Sequence, residues 1–318
     1  MNRLLRAALG LAAAALTLLA APAALHAAEA CPPQPAALTP DDVAQGMRQA
    51  VDRGLLWRVS KGGRTSWLYG TLHVARKAWM FPGPQVRQAM QAADRVALEL
   101  DLLDPAITGR LAGLITAGPS ATPLPEPLAR RLRVQAEANC AGPDLAALKP
   151  EMQAVTVTVM VGRRAGLEPG YAIDGFLAGF ARGLHKPVLS LETPEGQIGL
   201  LLQATPAETA SFVDHALDDI ERGQALKTLE RLAEAWARAD WNELSHYADW
   251  CRCLDTEHDR ALMHRLADER NVAMADQLQK RHEAGERLFV AVGALHMIGP
   301  EGLPALLAAR GFTVERVE

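Results

Sequence analysis

The sequence predicts an α/β fold: a modest mixed or mostly parallel central sheet surrounded by many helices, with a helical middle section. Three observations predict it. Short apolar runs alternate with helix-period segments at both ends of the chain. From Pro194 to about Arg281 the pattern is almost wholly helical, with breaks near Gly223 and Asp240. The composition, 49% hydrophobic and 22% charged over 318 residues, is that of a globular chain and excludes wholesale disorder. A net charge of -4 gives no global signal for nucleic acid, and no nucleic-acid partner is expected.

The chain opens with a basic start (Arg3, Arg6), an apolar run from Ala7 to Ala21, a break at Pro22 and small residues to Ala30. That order reads as a secretory signal peptide over residues 1–30, cleaved near Ala28 or Ala30. The expected location is therefore periplasmic or secreted, with no stable membrane span after cleavage. Residues 31–40 are Pro-rich and read as a linker, and 41–318 as one domain. Cys31 directly after Ala30 leaves a lipoprotein form open, although Glu29 fits that signal poorly.

The elements follow in order. Asp41–Asp52 reads as a short helix. Leu56–Ser60 and Thr65–Tyr69 read as strands joined through Lys61–Arg64, whose central glycines suit a hairpin. Pro82–Asp94 is helical because Val86, Ala89, Met90 and Ala93 fall on one face. Arg95–Leu100 is a strand, Asp104–Ala117 a helix, and Gly118–Pro127 a loop. Helices follow at about 126–139 and 144–164. Asp174 is expected to cap a helix that runs to Arg182 and ends at Gly183. Lys186–Leu191 and Arg287–Val292 are strands, Pro300–Ala309 is a helix, Gly311 caps it, and Phe312–Val317 is the last strand.

The ends of these strands carry the chemistry. Trp67-Leu68-Tyr69 runs into Gly70-Thr71-Leu72-His73, and Phe289 to Val292 runs into Gly293-Ala294-Leu295-His296. The phrase of strand then Gly-x-x-His thus occurs twice. Two other strands end near acids, Glu99 and Glu192. In open α/β sheets ligands sit at the carboxyl edge. If the strands are mostly parallel, two imidazoles and two carboxylates converge there. Glycine lets the chain turn tightly after the strand, and the histidine points back over the edge. Two imidazoles and a carboxylate suffice to hold a divalent ion with open positions, and a second carboxylate could serve as general base.

Other readings stand beside these. Glu99 shares a face with Ala97 and Asp101 and could belong to a solvated edge strand. Glu192 could cap the helix starting near Pro194. Arg270 lies in the apolar stripe of Leu262, Leu266, Met274 and Leu278, so it either snorkels to water or reaches the acidic cluster. Asp268 and Asn271 say little alone. His258, His264 and His282 read as surface, the six tryptophans as packing, and Arg130-Arg131-Leu132-Arg133 as a solvated helix face. No Gly-x-Ser-x-Gly elbow or phosphate loop is present. Cys31, Cys140, Cys251 and Cys253 remain; Cys251 and Cys253 are too close for an easy mutual bridge, so each is expected to pair elsewhere or one to stay free, in preference to a zinc set with His258.

The string from Trp67 to Val74, then Phe81-Pro82 and Ala97-Leu98-Glu99-Leu100-Asp101, resembles the opening of the TraB/PrgY/GumN family. Ile173-Asp174, Lys186-Pro187-Val188 and Leu191 to Gln197 resemble its second block. Glu269-Arg270-Asn271 and Val292 to His296 resemble the third and fourth. The resemblance runs from about Trp57 to Glu318. It implies kinship with the Tiki proteins, metal-dependent proteases with two Gly-x-x-His motifs and an essential Glu, on an α/β fold rich in helices. It implies His73 and His296 as metal-site residues and Glu99 as the essential acid, with Glu192 and Arg270 lining the same site; on the leading reading Glu99 completes the metal site, and Glu99, Glu192 and Arg270 are the catalytic residues. The implied cofactor is a divalent transition metal, Mn²⁺ or Co²⁺, with Zn²⁺ as a further option. The expected activity is exported metal-dependent hydrolysis of peptide or ester bonds in a peptide or small-molecule substrate. The alternative is a non-catalytic binding protein for a small peptide, a haem-like ligand or a metal. A third reading makes the four residues an inert polar cluster in an envelope scaffold.

Overall fold

Gly62 and Gly63, with φ of 59° and 75°, turn the chain between strand β1 (Leu56–Lys61) and strand β2 (Arg64–Thr71). Two successive positive φ values make the turn that matches the twist of a tight hairpin, and Lys61 pairs with Arg64 across it. This hairpin joins β3 (Arg95–Leu98), β4 (Val188–Ser190), β5 (Leu288–Gly293) and β6 (Thr313–Val317) in one six-stranded sheet. The strand order is β4-β3-β5-β2-β1-β6. The structure, a computed structural model, describes residues 31–119 and 121–317. The signal-peptide reading of residues 1–30 lies outside the described residues.

The sheet is mixed, as expected. β4, β3, β5 and β2 run parallel, and β1 runs antiparallel to both β2 and β6. The carboxyl ends of the four parallel strands therefore face one edge. Register sharpens this: Thr71 lies opposite Gly293, and Leu98 lies opposite both Ala291 and Ser190.

Helices cover both faces, which is why β5 is a continuous apolar run, buried from Leu288 to Val292. On one face Tyr69, Val96, Leu98 and Phe289 pack with helix Pro84–Ala92 (Val86, Met90), helix Ile173–Gly183 (Leu177) and Trp236. On the other, Leu68, Ala97, Val290 and Val292 pack with helix Glu269–Glu283 (Met274, Leu278) and helix Leu303–Ala309 (Leu303, Leu307). Each large side chain removed from water contributes roughly 1.5–3 kcal/mol. The helical middle has its own core of Leu132, Val157, Val213 and Leu217. Arg131 ion-pairs there with Asp214, Asp218 and Glu221, so its cation answers acids of this chain. Pro32–Glu318 forms one compact unit, and no described helix is long and apolar enough to cross a membrane.

Several expectations are corrected. The segment 144–164 is not one helix. A 3-10 turn at Pro143–Ala147 is followed by a helix at Pro150–Met160 and a second 3-10 turn at Arg163–Ala165. The residue before a proline is pushed out of the helical region, and Lys149 sits at φ -59°, ψ 148°. Cys251 and Cys253 do bridge each other, with Cα atoms 5.1 Å apart. Arg252 takes a left-handed φ of 57°, and that kink turns the two Cβ atoms together. A zinc set on these two thiols is thereby removed. His282 is buried rather than on the surface: Ser66 Oγ lies 3.1 Å from its Nδ1, and its Nε2 lies 2.9 Å from the Lys61 carbonyl oxygen.

Candidate active site

The two Gly-x-x-His segments leave the sheet side by side because Thr71 and Gly293 are register partners. The glycines are needed for a reason other than a tight turn. Gly70 does not have a positive φ, and Gly293 has φ -49°. A Cβ on Gly70 would lie 3.1 Å from the Ala294 backbone, so the first motif needs glycine to let the second approach. A Cβ on Gly293 would lie 3.3 Å from Glu99 Oε1, 3.6 Å from His73 Nε2 and 3.6 Å from the His296 ring. The space beside Gly293 is where the strand-end groups meet.

Each imidazole is oriented through its Nδ1. His73 Nδ1 lies 2.9 Å from Asp174 Oδ2, while Thr71 Oγ1 donates to Asp174 Oδ1 at 2.5 Å. Asp174 is therefore not the helix cap; Ala172 holds that position, and Asp174 turns toward β2 from the first turn of helix Ile173–Gly183. His296 is buried in a short 3-10 turn, and its Nδ1 donates to Asn271 Oδ1 at 2.7 Å. Asn271, fully buried, donates in turn to the Glu301 carbonyl at 2.9 Å. With Nδ1 committed, Nε2 of each ring is the nitrogen left to face the site.

Glu99 follows β3 directly and is buried; β3 is an interior strand, so the solvated-edge reading is ruled out. Its Oε1 accepts the Gly293 N–H at 2.7 Å and lies 3.7 Å from His296 Nε2. Its Oε2 accepts from Gln197 Nε2 at 2.9 Å and from Arg270 Nη2 at 2.5 Å. Glu192 does not cap the following helix; the Thr193 hydroxyl does, accepting from the Gly196 N–H. The Glu192 carboxylate instead takes Arg270 in a bidentate pair, Nε to Oε1 at 2.8 Å and Nη2 to Oε2 at 2.6 Å, and also accepts from Gln197 at 2.8 Å. Arg270 thus reaches the acidic cluster and does not snorkel. It stands just after a π-helical turn, His264–Asp268, and its Nη1 donates to the Leu266 carbonyl within that turn.

The charges shape one another. The Asp174 charge is the main cause that raises His73, to about 9. Burial dominates at His296 and pushes it down to about 4, so this ring is neutral at pH 7. At Glu99 burial works upward, but His296, His73, Arg270 and the Gly293 N–H outweigh it and hold the carboxyl down at about 2.

All five residues expected at the site, His73, Glu99, Glu192, Arg270 and His296, thus stand at the carboxyl edge of the parallel strands. Thr71, Asp174, Gln197 and Asn271 join them without having been picked out as site residues. The ligand atoms of His73, Glu99 and His296 do not all lie within 4.8 Å of one another; among the described residues the group that meets this spacing is His264, Asp268 and Glu301. The donor chemistry of the first trio nevertheless suits a divalent ion: two imidazole Nε2 atoms, each held from Nδ1, and one carboxylate oxygen beside them.

The family model described as TraB/PrgY/gumN family matches residues 55–316. The chain is similar to the protein named YbaP of Escherichia coli (strain K12), 31% identical over 168 residues, and to YbaP of Shigella flexneri at the same identity and length. The match covers 52% of this chain, and the chain spans about 59% of the length of these curated relatives. No solved structure matches it.

Proposed function

The chain belongs to the TraB/PrgY/gumN family, and from that premise and the site geometry we propose that it is an exported metal-dependent hydrolase of amide or ester bonds. The observation that carries this reading is the convergence beside Gly293 of His73 Nε2, Glu99 Oε1 and the His296 ring, with Nδ1 of each imidazole held from behind. A divalent transition ion, Mn²⁺ or Co²⁺ with Zn²⁺ as a further option, would be held by His73, His296 and Glu99. When bound it supplies Lewis acidity toward a scissile carbonyl and a water of lowered pKa.

The chain's own residues do the rest. Asn271 Oδ1 accepts the hydrogen bond from His296 Nδ1, which leaves the Nε2 lone pair toward the site. Asp174 orients His73 through Nδ1, braced by the Thr71 hydroxyl, and the ring would give up its second proton, at Nε2, to hold an ion. The Gly293 N–H steers Glu99 Oε1. Both Glu192 oxygens are engaged by Arg270, so Glu192 acts best as the group that positions Arg270. Four of the five guanidinium N–H groups go to Glu99, Glu192 and Leu266; the fifth is left for a substrate oxygen. Glu99 Oε1, steered by the Gly293 N–H and with its carboxyl held down at about 2, is suited to be a metal ligand rather than a proton acceptor. Export is supported by the basic, apolar and small-residue order of the first thirty residues and by a disulfide suited to an oxidising compartment.

The test is cleavage of a peptide library by protein purified from an oxidising compartment without chelator, beside Glu99→Gln and His296→Ala. Metal-dependent cleavage lost in both folded variants supports the reading. Protein that binds no Mn²⁺, Co²⁺ or Zn²⁺ at this trio and cleaves nothing overturns it.

A further inference from the structure

His264, Asp268 and Glu301 lie outside the trio beside Gly293, and their ligand atoms all lie within 4.8 Å of one another. His264 and Asp268 sit four residues apart on the π-helical turn, and Glu301 comes from the segment after His296. His264 Nε2 is 3.7 Å from Glu301 Oε2, and its Nδ1 is 3.4 Å from Glu269 Oε1. One imidazole therefore stands among three carboxylates. Among the described residues no Lys or Arg ion-pairs with Asp268, Glu269 or Glu301. His264 is the basic group that faces these carboxylates, so the cluster is acid-rich, and like charges gathered this closely favour a bound cation.

We propose that His264, Asp268 and Glu301 form a second divalent-cation site, which clips the π-helical turn to the segment that follows His296. One imidazole and two carboxylates suit a first-row divalent ion such as Zn²⁺ or Mn²⁺. The spacing is slightly wide for ligands around one ion, and exposed side chains on two segments close it by small rotations. The placement gives the ion a purpose. The π turn leads directly into Arg270 and Asn271, and the Glu301 carbonyl accepts from Asn271, whose Oδ1 holds His296. An ion here fixes the two segments that bring Arg270 and His296 to the active-site edge.

The test is calorimetric titration of chelator-stripped full-length protein with Zn²⁺ and, separately, Mn²⁺. Wild type is compared with His264→Ala, Asp268→Asn, Glu301→Gln and His73→Ala, each checked for folding by circular dichroism. Three of these side chains lie at the surface or near it, so their variants are expected to fold. The expected result is one ion fewer per chain in all three of those variants, and retention of that ion in His73→Ala. Wild-type stoichiometry and affinity in those three variants overturns the proposal, as does the absence of any binding by wild type. An ion lost only in His73→Ala also overturns it, while leaving the active-site reading intact.

Discussion

Arg270 Nη2 bridges Glu99 Oε2 and Glu192 Oε2 at 2.5 and 2.6 Å, so one guanidinium ties together two acids that leave adjacent parallel strands. All three side chains are at most 16% exposed. Removing the cation leaves two carboxylates facing each other out of water. Arg270→Met is expected to destabilise the fold by about 3–5 kcal/mol, measured by urea denaturation. Adding Glu99→Gln and Glu192→Gln to it should recover much of that loss. If Arg270→Met alone is neutral, the triad carries no buried charge balance. Lysine should not substitute well, since a point charge cannot make the bidentate pair.

Gly293→Ala separates the site from the fold. Its Cβ would meet Glu99 Oε1 at 3.3 Å and the two imidazoles at 3.6 Å, with no positive φ to strain. Stability should change by less than about 1.5 kcal/mol, because only side-chain tips must give way. Metal binding and hydrolysis at His73, Glu99 and His296 should fall by at least about tenfold, the effect seen when ligand orientation is disturbed. Unchanged metal titration and turnover in Gly293→Ala would show that the reacting groups meet elsewhere.

Asp174→Asn should move the His73 titration. The Asp174 charge is the largest cause that lifts this imidazole to about 9. An amide at the same place keeps a hydrogen-bonding group and removes the charge, so the His73 pKa should drop toward its ordinary 6.5. Proton NMR of the imidazole in metal-free protein reads this directly. A His73 that titrates identically in both proteins would mean that Asp174 does not orient it.

The site was legible where the sequence repeated itself. Two strands ending in Gly-x-x-His, with acids after two more, point to one edge as soon as the strands run parallel. Its supporting residues were not legible, because an isolated polar residue has no pattern. Asp174 looks like any acid at a helix start, and Asn271 looks like a surface neighbour of Arg270 until the Glu301 carbonyl and His296 enclose it. The π turn explains another miss. An extra residue per turn shifts the helical phase, so a stripe drawn through Leu262, Leu266, Met274 and Leu278 is not one face. Met274 and Leu278 are buried, whereas Leu262 and Leu266 are only partly so. The Cys251–Cys253 bridge was hidden because it depends on a left-handed Arg252, which nothing in the residue type announces.

The stability of metal-free protein should show the site's opposing titrations. His296 titrates at about 4 when folded and 6.5 ordinarily, so between these values the unfolded chain binds more protons. Its contribution is present above 6.5 and is lost as pH falls toward 4; the upper bound is about 3 kcal/mol. Glu99, held at about 2 against an ordinary 4.5, extends the loss to lower pH. His73 works the other way. Its pKa rises to about 9, so its contribution is present below 6.5 and is lost as pH climbs through 9. That side chain is 64% exposed, so solvent screens the effect and it is the smaller of the two. The site's contribution should therefore peak near pH 6.5 and fall more steeply on the acid side. Urea denaturation at pH 4.5, 6.5 and 8.5 checks this, with His296→Gln as the reference that removes the acid-side titration. The wild-type curve should lose more stability than His296→Gln between pH 6.5 and 4.5. Equal losses in the two proteins would mean that His296 is as free to take a proton when folded as it is in the unfolded chain.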